Sequence, residues 1–407
     1  MSEHSPSHGA HSHVVDNYQL EIGRWNAGRN TLVLAALISI VACVAGYLTN
    51  PDRFFESYLV AFSFTTAVGL GAFFFVMVQY LTGSAWSVGM RRIMENIMIT
   101  LPVGLILFLP LILGLEHLYP WMDKAHMLSE KPLAEKASYL EEAFFLKRTF
   151  VYFILWSIWT ISIYRHSIKQ DSEHSAQRMH KITRWCAPGL LLAVMVGSLA
   201  AFDWLMSLQP GWYSTIFGLY YLSDGALAFM SFMTLICLAF RRNGILARTI
   251  RDEHYHDLGK WLFALTCFYT YIAVSQYLLI WYADLPEETI FYRIRVEAQP
   301  WLIWSLILPF TRFFIPFFTL LCRPIKRKYG VIGFMAAWSL IVIYLDMYWL
   351  VMPNFHAEGP VFHWLDLATL GATVSVCGLV FWSRFKKNKL VPVGDLRLEQ
   401  SLQFENV

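Results

Sequence analysis

Apolar positions in this chain fall in long, nearly unbroken runs separated by short polar segments. Ten such runs centre near Leu37, Phe74, Leu105, Ile154, Val194, Phe229, Cys267, Leu308, Leu340 and Val374. A run of roughly 20 apolar residues crosses a hydrocarbon core of about 30 Å as a helix. In that setting every backbone hydrogen bond has to close within the segment. The pattern therefore predicts an all-α polytopic membrane protein with about ten transmembrane helices. It divides the chain into a polar, histidine-containing tail (1–29), a ten-helix membrane domain (30–384) and a second tail (385–407).

Composition agrees, with 57% hydrophobic and 15% charged residues, and 16 Trp and 20 Tyr to populate interfacial belts. The basic residues are distributed unevenly over alternate sides. Twenty-three Lys and Arg fall on the side of the tails and 8 on the other, with Arg312 inside a span. The positive-inside rule then places both termini in the cytoplasm, as an even number of spans requires. The net charge of +3 follows from this orientation and implies no nucleic-acid partner. Residues 1–29 lack the apolar core of a signal peptide. Their four histidines (His4, His8, His11, His13) read as part of a solvated tail rather than a metal site.

The six cysteines are scattered, with no CxxC or CxxCH, and no phosphate-binding glycine loop is present. Any electron carriers therefore belong to a partner or a diffusible ligand. Between the third and fourth spans, Leu133, Ala137, Leu140 and Phe144 repeat at helical spacing after Pro132, which predicts a short surface helix. Glycines and prolines within spans (Gly69, Gly71, Pro102, Pro110, Pro188, Pro309, Pro316) read as close helix contacts or kinks.

A charged group in hydrocarbon costs about 2.5–3.5 kcal/mol on insertion scales. Each one inside a span therefore needs a reason. Glu116 and His117 end the third span on the outer side, Asp203 ends the fifth, and His363 and Asp366 open the tenth. Asp224 and Asp346 lie deeper, in the outer parts of the sixth and ninth spans, and Arg312 lies in the inner half of the eighth. This reading groups Asp203, Glu116 and His117 as an outer quinol or proton-accepting group. Asp224, Asp346, Arg312, His363 and Asp366 become candidates for a proton path, with an internal ion pair as the alternative for the deeper three. Gln79 and Glu95 flank inner span ends. Paired haem ligation by His117 and His363 is disfavoured, and no metal site is expected.

Three stretches carry a resemblance: VQYLTGSAWSVGMRRIMENI (78–97), DWLMSLQPGWYSTIFGLYY (203–221) and GKWLFALTCFYTYIAVSQYLLIWYADLPEET (259–289). They are similar to the NrfD-like (polysulfide-reductase-type) membrane subunits of bacterial alternative complex III, above all to the second, F-type subunit. The stretch KASYLEEAFFLKR (136–148) departs from the family's Asn-Pro after Tyr-Leu. The resemblance implies two four-helix bundles, helices 2–5 and 6–9, plus two extra helices. It also implies a subunit of a quinol:cytochrome c oxidoreductase in the bacterial cytoplasmic membrane. The partners expected from it are a multihaem cytochrome c, an iron–sulfur protein and a sister NrfD-like subunit. Haem c and iron–sulfur clusters would sit on those partners, and quinone or quinol is the one ligand expected here. A purely structural anchor of the same complex and a secondary transporter are the competing readings.

Overall fold

The computed structural model describes residues 16–129 and 131–405. The four histidines of the first tail lie outside the described residues. Ten helices among those described are long and apolar enough to cross a membrane: α1 (Ile22–Thr49), α2 (Pro51–Leu81), α3 (Val88–Leu113), α4 (Glu142–Glu173), α5 (Ala176–Leu208), α6 (Phe217–Arg242), α7 (Asp252–Ala283), α8 (Gln299–Leu321), α9 (Tyr329–Asn354) and α10 (Trp364–Lys386). No strand occurs among the described residues. The chain is an all-α polytopic membrane protein, and each predicted run lies inside one of these helices.

Helix α2 is the axis of the fold and is buried along most of its length. It packs against α5, α3 and α10 and most extensively against α6, which in turn holds α9, α7 and α5. Helices α2–α5 thus form one bundle and α6–α9 a second, joined where α2 crosses α6. A Cβ on Gly71 would overlap the carbonyl of Gly225, and one on Gly225 would press on that of Ala67. Only glycine permits this backbone-to-backbone approach. Helix α1 lies outside and runs against α10. Trp25 and Trp382 tie the pair together, each indole donating to the other's carbonyl at 3.2 and 2.8 Å.

Two helices deviate from regular geometry at prolines inside their spans, and α9 closes with a 3₁₀ turn at Pro353. In α3, Leu101–Val103 tightens to a 3₁₀ turn at Pro102. In α8, Phe310–Phe314 widens to a π-turn, closed by Ile315 N donating to Phe310 O. Pro316 has no amide to give the Arg312 carbonyl four residues back, and its ring crowds that carbonyl. The wider turn accommodates the crowding, and Arg312 sits within it.

The segment after α10 folds back over the end of the first bundle that lies on the side of the tails. Leu390 N donates to Tyr18 O at 2.8 Å, and Ser401 Oγ accepts from Gly89 N at 3.0 Å. Leu390, Val391 and Ser401 are buried. In the connection between α3 and α4, Lys124–Ser129 and Lys131–Lys136 form two short helices. The second holds Leu133 of the predicted surface helix, while Ala137 and Leu140 follow in a turn and Phe144 belongs to α4.

Candidate functional site

The second bundle holds three ionisable residues in its dry interior. Asp224 comes from α6, Arg312 from α8 and Asp346 from α9, with 0%, 4% and 2% of their surfaces exposed. The Arg312 guanidinium lies between the two acids, paired with Asp224 through Nη2 and 3.4 Å from Asp346 Oδ2 through Nη1. Counting along the span puts Arg312 in the inner half and the two acids nearer the outer face, with an internal ion pair as the alternative. The long side chain of Arg312 reaches the level of both acids from near the middle of α8.

Hydroxyl groups complete the site. Tyr220 and Tyr269 reach Asp346 Oδ2 at 3.0 Å each and lie 2.7 Å from one another. The guanidinium stacks 3.5 Å above the Tyr269 ring. Three oxygen–oxygen contacts thus share two phenolic protons, so a third proton is needed to satisfy all three at once. Among the described residues Asp224 has no hydrogen-bond donor besides its ion pair. A proton on Asp346 would satisfy the third contact and leave Arg312 paired with Asp224 alone. On the outer side sits Arg295, buried and donating to the carbonyls of Phe291, Trp349 and Leu350. Burial pulls its guanidinium below the ordinary value, opposed by Tyr292, Tyr220 and Asp346.

The outer end of the first bundle is arranged otherwise. Asp203 accepts from Arg148 Nε at 2.9 Å, Arg148 Nη2 at 3.0 Å and the Tyr152 hydroxyl at 2.7 Å. Arg148 also stacks 3.8 Å over Tyr139. Burial and then Asp203 push the Tyr139 hydroxyl up to about 12. Glu116 and His117 do not join this group. Both are exposed, and the His117 ring stacks on Phe55 while its Nδ1 meets Asp52. Similar depth did not bring these residues together, because Glu116 and His117 lie past the end of α3, on the short helix Leu115–Leu118, beside the start of α2.

His363 and Asp366 belong to a third cluster, separate from the Arg312 site. His363 caps α10, with its Nδ1 accepting from Leu365 N and its own amide donating to Asp366 Oδ2. Asp366 accepts further from Arg53 at 2.8 Å and Ser57 at 2.6 Å, while Arg53 and His356 both reach Glu56. These pairs fasten α10 to the start of α2. They close the outer end of a groove of about 830 Å³ between α9 and α10, walled by Phe64, Tyr344, Tyr348, Leu367 and Leu370.

No protein-family model matches the chain, and no curated protein matches it.

A fourth cluster showed in the sequence only through Glu95, read there as flanking an inner span end. Arg91 and Arg92, counted as loop cations, are 1% and 0% exposed inside α3. Glu95 lies between them and accepts from the Tyr80 hydroxyl at 2.7 Å and Ser167 Oγ at 2.7 Å. Arg92 pairs with Asp171 at 2.8 Å and Arg91 with Asp395 of the folded-back segment. Burial opposes ionisation of Asp395, yet Arg91 and Arg397 overcome it and hold the carboxyl down at about 2. The available signal was the Arg-Arg-x-x-Glu spacing, which puts both cations within reach of one acid on a helix.

Proposed function

We propose that this chain is an integral membrane subunit of a respiratory quinol:cytochrome c (or similar acceptor) oxidoreductase, of the NrfD-like type its sequence resembles, and that it conducts protons. The observation that carries this reading is the Asp224–Arg312–Asp346 group with Tyr220 and Tyr269. It is a dry, hydroxyl-lined site with two carboxylates on one shared guanidinium, seated on a π-turn of the kind found often at functional sites. An intramembrane acid facing a bundle interior is by default a candidate for a proton or ion path. In this reading both tails lie in the cytoplasm of a bacterium, haem c and iron–sulfur clusters sit on partner subunits, and quinol is the only redox ligand near this chain. The groove between α9 and α10 falls within the size range of small-molecule sites.

The test uses the intact complex in proteoliposomes, with Asp346→Asn. Proton release per electron should fall while quinol oxidation continues uncoupled and subunit composition holds. Unchanged proton release with normal assembly would overturn the conducting role and leave the structural anchor. The fully paired Asp203–Arg148 and Asp366–Arg53 contacts favour that second reading for their own regions.

A further inference from the structure

The basic residues on the side of the tails are not equivalent. Arg92, Arg178 and Arg327 are each engaged by an acid. Arg165 and Lys169 on α4, and Lys181 and Arg184 on α5, are exposed and have no carboxylate partner among the described residues. The acids on this stretch of α4 are taken, Asp171 by Arg92 and Glu173 by Arg178.

Two cavities open beside these four cations, one on each flank of α4. The first, about 560 Å³, runs along Leu105, Phe153, Ile154 and Ile158 and ends at Arg165 and Lys169. The second, about 710 Å³, lies between α4 and α5, with Ile163, Ile182 and Trp185 in its wall and Lys181 and Arg184 at its end. Ser162 and His166 line both, so the cavities meet at one turn of α4. Nearby, Trp159 and Trp185 stack at 4.7 Å, as aromatic residues do at headgroup level.

Charge and shape together select an occupant. Basic pockets between membrane helices attract lipid phosphates. Here two pairs of cations without a carboxylate partner among the described residues stand over two cavities that share Ser162 and His166. The first is walled mainly by apolar side chains, the second by Ile163, Ile182 and Trp185 beside Gln177 and His180. We propose that this end of α4 and α5 binds a diphosphatidyl lipid of the cardiolipin class. One phosphate lies between Arg165 and Lys169 and the other between Lys181 and Arg184, with acyl chains along each flank of α4. Packed helices lie about 8–10 Å apart, a gap that the Arg and Lys side chains narrow from both sides. The inference is independent of the redox reading.

Native mass spectrometry of the full chain in detergent tests it, with cardiolipin, phosphatidylglycerol or phosphatidylcholine added. Wild type should retain cardiolipin in preference to the other two. Each cation removed should weaken retention about fivefold, and Lys169→Ala with Arg184→Ala about 25-fold. The unfolding temperature of the lipid-free double variant should equal that of wild type, since both residues are exposed. If the double variant folds poorly, either single variant gives the same reading at a fivefold effect. Equal retention of phosphatidylglycerol, wild-type retention by the variants, or displacement of the lipid by inorganic phosphate would each overturn the proposal.

Discussion

Both four-helix bundles seat an aspartate of their last helix against an arginine of the helix before it, and the two solutions differ in stoichiometry. In the first bundle, Asp203 and Arg148 form a one-to-one, doubly hydrogen-bonded pair whose guanidinium keeps an exposed edge. In the second, one buried arginine serves two buried aspartates, and the other nearby cation, Arg295, spends its donors on backbone carbonyls. A matched pair has one favourable charge state and holds helices together. A shared cation leaves the charge state open, and the difference separates a fastening from a site.

The sharpest way to break that distinction is to remove each arginine. Arg312→Leu strands two carboxylates in a dry interior and should cost about 3–5 kcal/mol, measured by thermal unfolding in detergent. Combining it with Asp224→Asn and Asp346→Asn should recover most of the loss. Arg148→Leu, with water within reach of its pair, should cost clearly less; equal losses would erase the contrast.

Neutralising the acids should separate the bundles next. Asp203→Asn leaves Arg148 without its only acid partner among the described residues and should destabilise by about 1–3 kcal/mol. Asp346→Asn leaves Arg312 paired one-to-one with Asp224, so its cost should stay below that of Asp203→Asn in the same unfolding assay.

The first bundle also contains a fixed charge match at its end on the side of the tails, whose pH dependence can be stated. Asp395 has its carboxyl held down at about 2, so its contribution to docking the folded-back segment is present above the ordinary aspartate range. That contribution should be lost as pH falls from about 4 to about 2, seen as faster hydrogen exchange over 390–402. Asp395→Asn should show the same exchange at neutral pH. The smallest effects belong to single hydroxyls. Tyr152→Phe and Tyr220→Phe should each cost about 0.5–1.5 kcal/mol, but only Tyr220→Phe should alter proton release.

The spans were legible because hydrophobic length is a property of contiguous residues, and Leu37 through Val374 all fall inside helices. Position within a span was legible too, which is why Asp224, Asp346 and Arg312 stood out inside apolar runs, but the reach of the Arg312 side chain to the level of both acids was not. Nor was azimuth. Glu116, His117 and Asp203 share a depth yet face different neighbours, and only packing decides that. Arg91 and Arg92 resemble ordinary interfacial cations because their burial depends on distant partners, Asp395 some 300 residues along the chain for Arg91 and Asp171 about 80 along for Arg92.

The wide turn in α8 has a genetic consequence. Each residue of a regular helix advances the chain by about 100°, and the π-turn at Phe310–Phe314 uses one residue more than a regular turn does. An in-frame loss of a single codon there would let the helix rewind to ordinary pitch. Its hydropathy would barely change, yet every side chain on one side of the deletion would face a different neighbour. The segment would still read as a transmembrane span, but its guanidinium would no longer point where two other helices require it.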